Sequence, residues 1–243
     1  MTKIGIISSF HLKVAMCILM VLDHIYRHFP GMPYAFHQFG RIVMPFFAFL
    51  IAQGMVHTRS RQSYIMRLLL FGVATMIGGW MLTFFFDGAV FRYHILISFA
   101  IAALIIDAVD QYQRDKKTLW LIMAAVLAGV ALFFEGAWLV TVPVLIFYYL
   151  RSRPLLMYAA YAASVFPLVW LMEIVLSLIR GRDIALTSQW LMIFSIIPIM
   201  LYNGKRGIKT SGRRGFFAKY AFYIFYPAHL WILFLVSNLM FGR

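Results

Sequence analysis

The chain has 243 residues, of which 63% are hydrophobic and 12% are charged, and its mean hydropathy is +0.86. Soluble domains hold about 45–50% apolar and about 25% charged residues, so this composition excludes an ordinary soluble domain and predicts an all-α, polytopic bundle of membrane helices. The net charge of +14 would favour nucleic acid in a soluble protein, but basic loops are ordinary in membrane proteins, so we expect a lipid bilayer and no nucleic acid as a partner.

Nine apolar runs have roughly the length that a membrane-spanning helix needs, which is about 20 residues. The fifth and sixth runs are short and meet at Phe134-Glu135-Gly136, so one broken or re-entrant element is an alternative there. No repeat or shift of composition divides the chain, which we expect to form a single domain over residues 1–243. The runs are 11–28, 39–57, 67–86, 93–110, 119–134, 137–150, 155–179, 188–202 and 217–240.

Basic residues are shared unevenly between the two sides that these runs define. With the N-terminus in the cytosol, 15 of the 22 Lys and Arg residues fall on the inner side and five on the outer side. Short cytoplasmic loops carry an excess of Lys and Arg, so the asymmetry predicts a cytosolic N-terminus and an outer C-terminus. The inner residues are Lys3, Arg59, Arg61, Arg67, Arg114, Lys116, Lys117, Arg151, Arg153, Lys205, Arg206, Lys209, Arg213, Arg214 and Lys219, and the outer ones are Arg27, Arg92, Arg180, Arg182 and Arg243.

Ionisable residues interrupt the first two apolar runs at Asp23, His24 and Arg41. Such a group at membrane depth costs about 2.5–3.5 kcal/mol on insertion scales, so it usually faces a bundle interior and marks a working site. The two runs are antiparallel, which predicts Arg41 at the depth of Asp23 and a buried ion pair between them. A pair between Asp23 and Arg27, one turn apart, is the structural alternative. Pro45 is predicted to bend the second helix and to free the carbonyl of residue 41.

Histidine is the natural proton carrier near neutral pH, and His24 and His229 both lie in apolar runs. Tyr226 is three residues before His229 on the same face, and Pro227 between them removes a helical hydrogen bond. We therefore expect His24 to act as a base, with Tyr226 or His229 stabilising charge. The alternative is a structural role, with hydrogen-bonded core imidazoles and a kinked packing helix.

Three arginines, Arg59, Arg61 and Arg67, follow the second run on the predicted cytosolic side. Guanidinium groups bind phosphates through paired hydrogen bonds, so these residues are candidates for a phosphate-bearing ligand. The excess of positive charge in cytoplasmic loops also explains them.

Two further polar residues of the first run have structural interpretations. Lys13 is about 15 Å of helix from Asp23, which predicts an ammonium at the cytosolic interface. Cys17 is about 10.5 Å of rise from His24, too far for a nucleophile and its base. As the single cysteine it also excludes a disulfide and a cysteine cluster, and no histidines have convincing ligand spacing, so we expect no metal.

The order and spacing of several blocks resemble the TraX family, whose namesake is an F-pilin acetylase. The resemblance covers nearly the whole chain, and its blocks are LDH at 22–24, GRIVMPFFAFLIAQG at 40–54, HTRSRQSYIMRLLLF from 57 and FYIFYPAHLWIL from 222. Residues 110–200 match mainly in hydropathy, although EGAWLVTVPVLIFYYL from 135 resembles a family block that often begins with Asp in place of Glu135.

This resemblance implies an acyltransferase of the bacterial inner membrane that carries an acetyl group from cytosolic acetyl-CoA to an amine or hydroxyl at the outer face. The implied acceptors are a pilin N-terminus, an envelope glycan or a lipid. In the wider group of transmembrane acyltransferases, a histidine near the outer end of an early helix is the usual catalytic residue, and that role falls on His24. The expected catalytic set is completed by Asp23, Arg41, Tyr226 and His229.

Arginines after the second helix are associated with CoA in the wider group. By position this role falls on Arg59, Arg61 and Arg67, although the arginine motif of the wider group is not matched closely. Two functions of other classes remain open from the sequence. One is a proton-coupled transporter with Asp, His and Glu as a relay, and the other is a non-catalytic factor in pilus or envelope assembly.

Overall fold

The computed structural model describes residues 5–86, 90–181, 187–207 and 212–241, with the backbone alone for Arg180 and residues 212–219. These ranges are helical, and their only strand-like contact is an isolated bridge between Ile7 and Tyr202. The all-α prediction is confirmed for them. Some predicted loop cations lie outside the described residues or side chains, namely Lys3, Arg180, Arg182, Lys209, Arg213, Arg214, Lys219 and Arg243.

The helices follow the predicted runs closely. Arg61 begins the third run six residues earlier than predicted, because the Ser60 hydroxyl accepts a hydrogen bond from the amide of Ser63 and caps the helix there. The helices are α1 (Ser9–His28), α2 (Tyr34–Gly40), α3 (Val43–His57), α4 (Arg61–Thr83), α5 (Ile95–Asp115), α6 (Thr118–Ala131), α7 (Ala137–Tyr149), α8 (Pro154–Arg180), a 3₁₀ helix (Ser188–Ser195), α9 (Ile196–Leu201) and α10 (Gly212–Phe241).

Six helical stretches of the described chain are long and apolar enough to cross a membrane: Ser9–His28, Tyr34–His57, Arg61–Thr83, Ile95–Asp115, Pro154–Ile179 and Tyr220–Phe241. Three shorter apolar stretches, Thr118–Ala131, Ala137–Tyr149 and Ser188–Leu201, complete the bundle. At 1.5 Å per residue the first two rise about 20 Å, and the third, which begins as a 3₁₀ helix with about 2.0 Å per residue, rises about 25 Å. All three are shorter than the roughly 30 Å of a hydrocarbon core. The nine crossings and the cytosolic N-terminus therefore stay predictions.

The second predicted run is interrupted. Turn residues Arg41 and Ile42 separate α2 from α3, and Pro45 lies in the first turn of α3. The break falls earlier than the mid-span bend predicted at Pro45. The first turn is where proline is tolerated, because the amide that it lacks would have no partner inside the helix.

The fifth and sixth runs are two separate antiparallel helices. At the start of α6 the amide of Lys117 donates to Asp115 at the end of α5, and at the end of α7 the hydroxyl of Tyr148 donates to Asp110. The start of α6 and the end of α7 thus lie at the same end of α5. Between them the chain reverses at Gly136, whose φ of +80° is accessible to glycine without strain. The two runs are therefore separate helices rather than one broken element, and whether this helical hairpin crosses the bilayer or is re-entrant stays a prediction.

The helices α3 and α5 form the centre of the bundle. More than half of the residues in their apolar windows are buried, against 17% for α8. Phe46 and Phe49 of α3 pack with Phe147 of α7 and Tyr161 of α8 in the core. On the periphery large apolar side chains are exposed, among them Phe133 at 87%. Such a periphery is that of a helical membrane protein, whose outer faces contact lipid.

Candidate functional site

A cavity of about 450 Å³ lies among α1, α3, α4, α5, α7 and α10. Lys13 and Asp23 both line it, and ten residues of α1 between them correspond to about 15 Å along the helix. Its two ends are called here the Lys13 end and the Asp23 end. The wall between them is largely apolar, with Met20, Leu50 and Phe99 among its residues. The cavity thus connects two groups of polar residues through the bundle.

At the Asp23 end a single carboxylate accepts hydrogen bonds from three basic side chains. Oδ1 of Asp23 lies 2.7 Å from Nη2 of Arg41 and 2.7 Å from Nδ1 of His37, and Oδ2 lies 3.1 Å from Nε of Arg27. The side chains of Asp23 and Arg41 are 9% and 8% exposed. The predicted buried pair between them is present, and so is the alternative pair with Arg27. The sequence analysis missed His37.

Arg41 joins three elements at this end. Its Nε donates to the carbonyl of His37, and its Nη1 donates to Oε1 of Gln189 in the 3₁₀ helix, at 2.7 Å. Because α2 ends at Gly40, the Arg41 side chain leaves the helix at the break and reaches across to Asp23 and Gln189. Each of the three guanidinium nitrogens therefore donates to a partner inside the protein. Gln189 has no sequence signal that could have identified it.

His24 lines the cavity beside this cluster but is not hydrogen-bonded to it. Adjacent helix positions point about 100° apart, and the Asp23 carboxylate is directed to Arg27, His37 and Arg41 instead. The His24 side chain packs edge-on against Tyr93, with ring centroids 5.0 Å apart, and its Nδ1 is buried without a partner among the described residues. The cavity is bordered by this residue, whose Nδ1 is thus a buried polar atom left without a bond.

His229 of α10 lies next to His24, with ring centroids 5.3 Å apart. Its Nδ1 donates to the carbonyl of Phe225 at 2.8 Å, and its Nε2 is buried without a described partner. Tyr226 lines the cavity, and its ring is 5.8 Å from that of His229, whereas His229 itself is not part of the cavity wall. The structure thus brings His24 of α1 into contact with His229 of α10, which in turn lies next to Tyr226 of the same helix.

The sequence analysis did not predict the contact between Tyr93 and His28, which lie near these histidines. The hydroxyl of Tyr93 lies 3.1 Å from Nε2 of His28, and the hydroxyl of Ser237 lies 3.4 Å from its Nδ1. His28 is therefore partnered on both ring nitrogens, in contrast to His24. Tyr93 and His28 are adjacent to runs of aromatic residues, so nothing in the pattern distinguishes them from interfacial packing.

Glu135 lines the cavity in the loop between α6 and α7. Its Oε2 accepts the amide of His94 at 2.9 Å, and its own carbonyl accepts the hydroxyl of Ser98. Burial raises the pKa of the Glu135 carboxyl above its ordinary value, while the His94 amide acts in the opposite direction. The carboxylate sits at the N-terminus of α5, where the helix dipole favours negative charge.

At the Lys13 end the cavity wall is aromatic and basic. Nζ of Lys13 lies 5.1 Å from the ring centroid of Phe222. The guanidinium of Arg67 lies 5.8 Å from the ring of Tyr64, which lines the cavity, and Nε of Arg67 is buried without a described partner. Arg67 thus lies behind Tyr64 of the cavity wall without being part of that wall itself.

The other two predicted arginines are elsewhere. Nη1 of Arg61 donates to Asp110 at 2.7 Å and Nη2 to the hydroxyl of Tyr148 at 2.6 Å, which ties α4 to α5 and α7. Arg59 is exposed before α4 and does not line the cavity. Arg61 and Arg67 are six positions apart on one helix, which turns them to different faces. The structure therefore does not gather the three arginines into one cluster.

A metal site was not expected, and none of the described histidine, cysteine, aspartate and glutamate residues form a group of three or more that could hold a metal ion. His24, His28 and His229 are close but include only one pair of unpartnered nitrogens, on His24 and His229.

The fold and the site define a helical membrane protein with an internal cavity. An imidazole and a cluster of charged side chains are part of the wall of this cavity. Residues 8–237 match the protein family described as TraX protein, and the chain belongs to that family. The chain is also 28% identical over 242 residues to the "Probable fimbrial assembly protein FimC, serogroup H1" of Dichelobacter nodosus, an alignment that covers 93% of this chain and 94% of the relative. No solved structure matches.

Proposed function

We propose that the protein is a membrane-bound acyltransferase that carries an acetyl group from acetyl-CoA to an amine or hydroxyl acceptor. The observation that supports this best is the cavity, which brings the His24 ring to the same enclosed space as the basic Lys13 end. Membership of the TraX family, whose namesake acetylates a pilin, agrees with it. The membrane is the bacterial inner membrane, and the Lys13 end faces the cytosol because the excess of loop cations lies there.

The CoA phosphates bind at the Lys13 end. Lys13 in the cavity wall and Arg67 next to Tyr64 of that wall supply the positive charge. Arg61 is given no direct role because Asp110 and Tyr148 already occupy its guanidinium, and Arg59 is given none because it lies away from the cavity. The pantetheine arm passes along the apolar wall and brings the thioester toward His24.

The reaction converts acetyl-S-CoA and an acceptor H–X–R, in which X is nitrogen or oxygen, into acetyl-X–R and CoA-SH. Nε2 of His24 takes the proton as X bonds to the carbonyl carbon, and the imidazolium returns it to the thiolate when the carbon–sulfur bond breaks. The Tyr226 hydroxyl borders the cavity and donates to the oxyanion. A transient acetyl group on His24 is the alternative route.

Asp23 and Arg41 shape the acceptor side rather than the imidazole. Their ion pair, with His37 and Gln189, joins three elements at the Asp23 end of the cavity. These elements are α1, the break between α2 and α3, and the 3₁₀ helix. The acceptor enters there, and the name of the Dichelobacter nodosus relative makes a pilin N-terminus one candidate beside envelope glycans and lipids.

The test is transfer from carbon-14-labelled acetyl-CoA by the purified protein in detergent. Three acceptors are offered separately: a peptide with a free N-terminal amine, an envelope glycan fraction and a lipid extract. General base catalysis contributes about 10²–10⁴-fold, so we expect His24→Ala to lower kcat by at least about 100-fold. His11→Ala, on the same helix but exposed and bonded to Ser8, is the matched control and keeps the wild-type rate. Wild-type transfer by His24→Ala would show that the base is wrongly assigned.

A non-catalytic role in fimbrial assembly is a second candidate, favoured by the name of the Dichelobacter nodosus relative. It makes a different prediction for the same variant. In cells that lack the protein, His24→Ala at wild-type membrane abundance would restore assembly completely if the role is non-catalytic, and would fail to restore it if transfer is required.

A further inference from the structure

Two buried ring nitrogens face the same small region without partners. They are Nδ1 of His24 and Nε2 of His229, and no described side chain or backbone group bonds to either. Buried polar atoms are nearly always hydrogen-bonded, so two adjacent exceptions call for an explanation. The rings are 5.3 Å apart between centroids and tilted by 50°, close enough for one nitrogen to donate to the other after a small rotation.

The hydrogen bond at Nδ1 of His229 determines which of the two rings would donate and which would accept. Its Nδ1 lies 2.8 Å from the Phe225 carbonyl oxygen, which can only accept, so the proton of His229 is on Nδ1. In the neutral ring, Nε2 of His229 then carries a lone pair. Only a hydrogen-bond donor can satisfy that lone pair, and the neighbouring ring of His24 has an unpartnered nitrogen, Nδ1, that can carry a proton.

We propose that His229 is a positioning residue that holds His24 in the tautomer with its proton on Nδ1. The hydrogen bonds run from Nδ1–H of His24 to Nε2 of His229, and from Nδ1–H of His229 to the carbonyl of Phe225. The lone pair of His24 is thereby fixed on Nε2, the nitrogen proposed above as the base. This inference rests on the proposed function for its catalytic meaning, although the tautomer itself does not depend on it.

The neighbouring groups leave this role to His229. The carboxylate of Asp23 is occupied by Arg27, His37 and Arg41, so it cannot orient His24 as an aspartate does in a catalytic triad. The Tyr93 ring packs on His24, but its hydroxyl is directed to His28. A neutral imidazole as the orienting group also avoids placing a further charge at membrane depth.

The first measurement reads the tautomer directly. The protein has seven histidines, and nitrogen-15 labelling of them in detergent micelles gives separate signals for the two ring nitrogens, with His24 identified by its loss in His24→Ala. We expect His24 to be protonated on Nδ1 in the wild type and to become a mixture of tautomers in His229→Leu. A wild-type His24 protonated on Nε2 would overturn the proposal whether or not acyl transfer is observed.

The second measurement separates positioning from packing. His229→Leu removes the acceptor, and we expect kcat to fall by about 10²–10⁴-fold with the KM for acetyl-CoA unchanged. His229→Gln keeps an oxygen that can accept from His24, and we expect it to recover at least tenfold of that loss. Equal losses in the two variants, or a loss confined to KM, would overturn the proposal.

Ser237→Ala is the matched control on the same helix. Ser237 is buried in α10 and bonds to the carbonyl of Phe234, but it lies outside the pair of histidines. We expect it to leave both the His24 tautomer and kcat unchanged, and a shift of either one would mean that any change in α10 disturbs His24. If the wild type shows the predicted tautomer but no transfer, the pairing stands and the proposed function fails.

Discussion

At the scale of single residues, charge in the apolar region is compensated almost everywhere. Asp23 accepts from Arg27, His37 and Arg41, and Arg41 reaches Gln189 as well. Breaking such a buried pair by removing one partner costs about 3–5 kcal/mol, because the remaining charge is left alone. Buried polar atoms without a partner are therefore the informative ones, and among the described residues they include Nε of Arg67, Nδ1 of His24 and Nε2 of His229.

Arg67 provides the residue-scale prediction. We expect Arg67→Gln to raise the KM for acetyl-CoA by roughly 10- to 100-fold with little change in kcat, since a hydrogen bond to a charged group contributes about 1.5–3 kcal/mol. Steady-state transfer kinetics over a range of acetyl-CoA concentrations measure it. Arg114→Gln removes one exposed cation from the same end of the bundle, away from the cavity, and is the control. An equal rise of KM in both variants would indicate a general effect of charge, contrary to the assignment of Arg67.

At the scale of elements, the contact between α1 and α2 builds the Asp23 end. A Cβ atom on Gly40, at the end of α2, would lie 2.4 Å from Cβ of Asp23, closer than two carbon atoms can approach. Glycine at this position allows the helices to approach, and the break that follows turns Arg41 toward the same carboxylate. The ion cluster therefore depends on backbone geometry as much as on charge.

The element-scale prediction concerns this contact. We expect Gly40→Ala to force α1 and α2 apart at a cost of about 1–3 kcal/mol, which corresponds to a fall in Tm of roughly 2–12 °C for a chain of this length. Thermal unfolding in detergent measures it. Gly129→Ala in α6 is the control, because no atom lies within 4 Å of a Cβ placed there and alanine favours the helix. A Tm for Gly40→Ala equal to or above that of Gly129→Ala would contradict the close-packing argument.

At the scale of the whole molecule, the helices of different length serve the cavity differently. The helices α1 and α3 line it along most of their own length, whereas α4, α5 and α10 contribute two or three residues each, and α2 and the 3₁₀ helix contribute at the Asp23 end. The shorter α6 packs against the far side of α5 and lines none of the cavity. Whether α6 crosses the bilayer completely is therefore a question of topology rather than of the site.

Labelling of introduced cysteines tests the predicted topology. In a background with Cys17→Ala, we expect the exposed loop variants Met32→Cys and Phe133→Cys to react with a membrane-impermeant maleimide on intact spheroplasts, and Lys117→Cys to react only after permeabilisation. This result places the α6–α7 loop outside, as nine crossings and a cytosolic N-terminus require. Reaction of Phe133→Cys only after permeabilisation would remove α6 and α7 from the crossings, and reversal of all three would invert the orientation.

The sequence by itself determined the helical membrane architecture, the bounds of most helices and the family. Hydropathy, loop charge and helix caps are properties of single segments, so they can be recognised without the fold. The Asp23–Arg41 pair could be predicted because it joins two antiparallel runs that follow each other in the chain. Only the tertiary structure showed that Arg67 lies against Tyr64 of the cavity wall while Arg61 is tied to Asp110, and that His24 meets His229 from the other end of the chain. Those meetings depend on how distant helices rotate and pack against each other, which no local pattern of residues encodes.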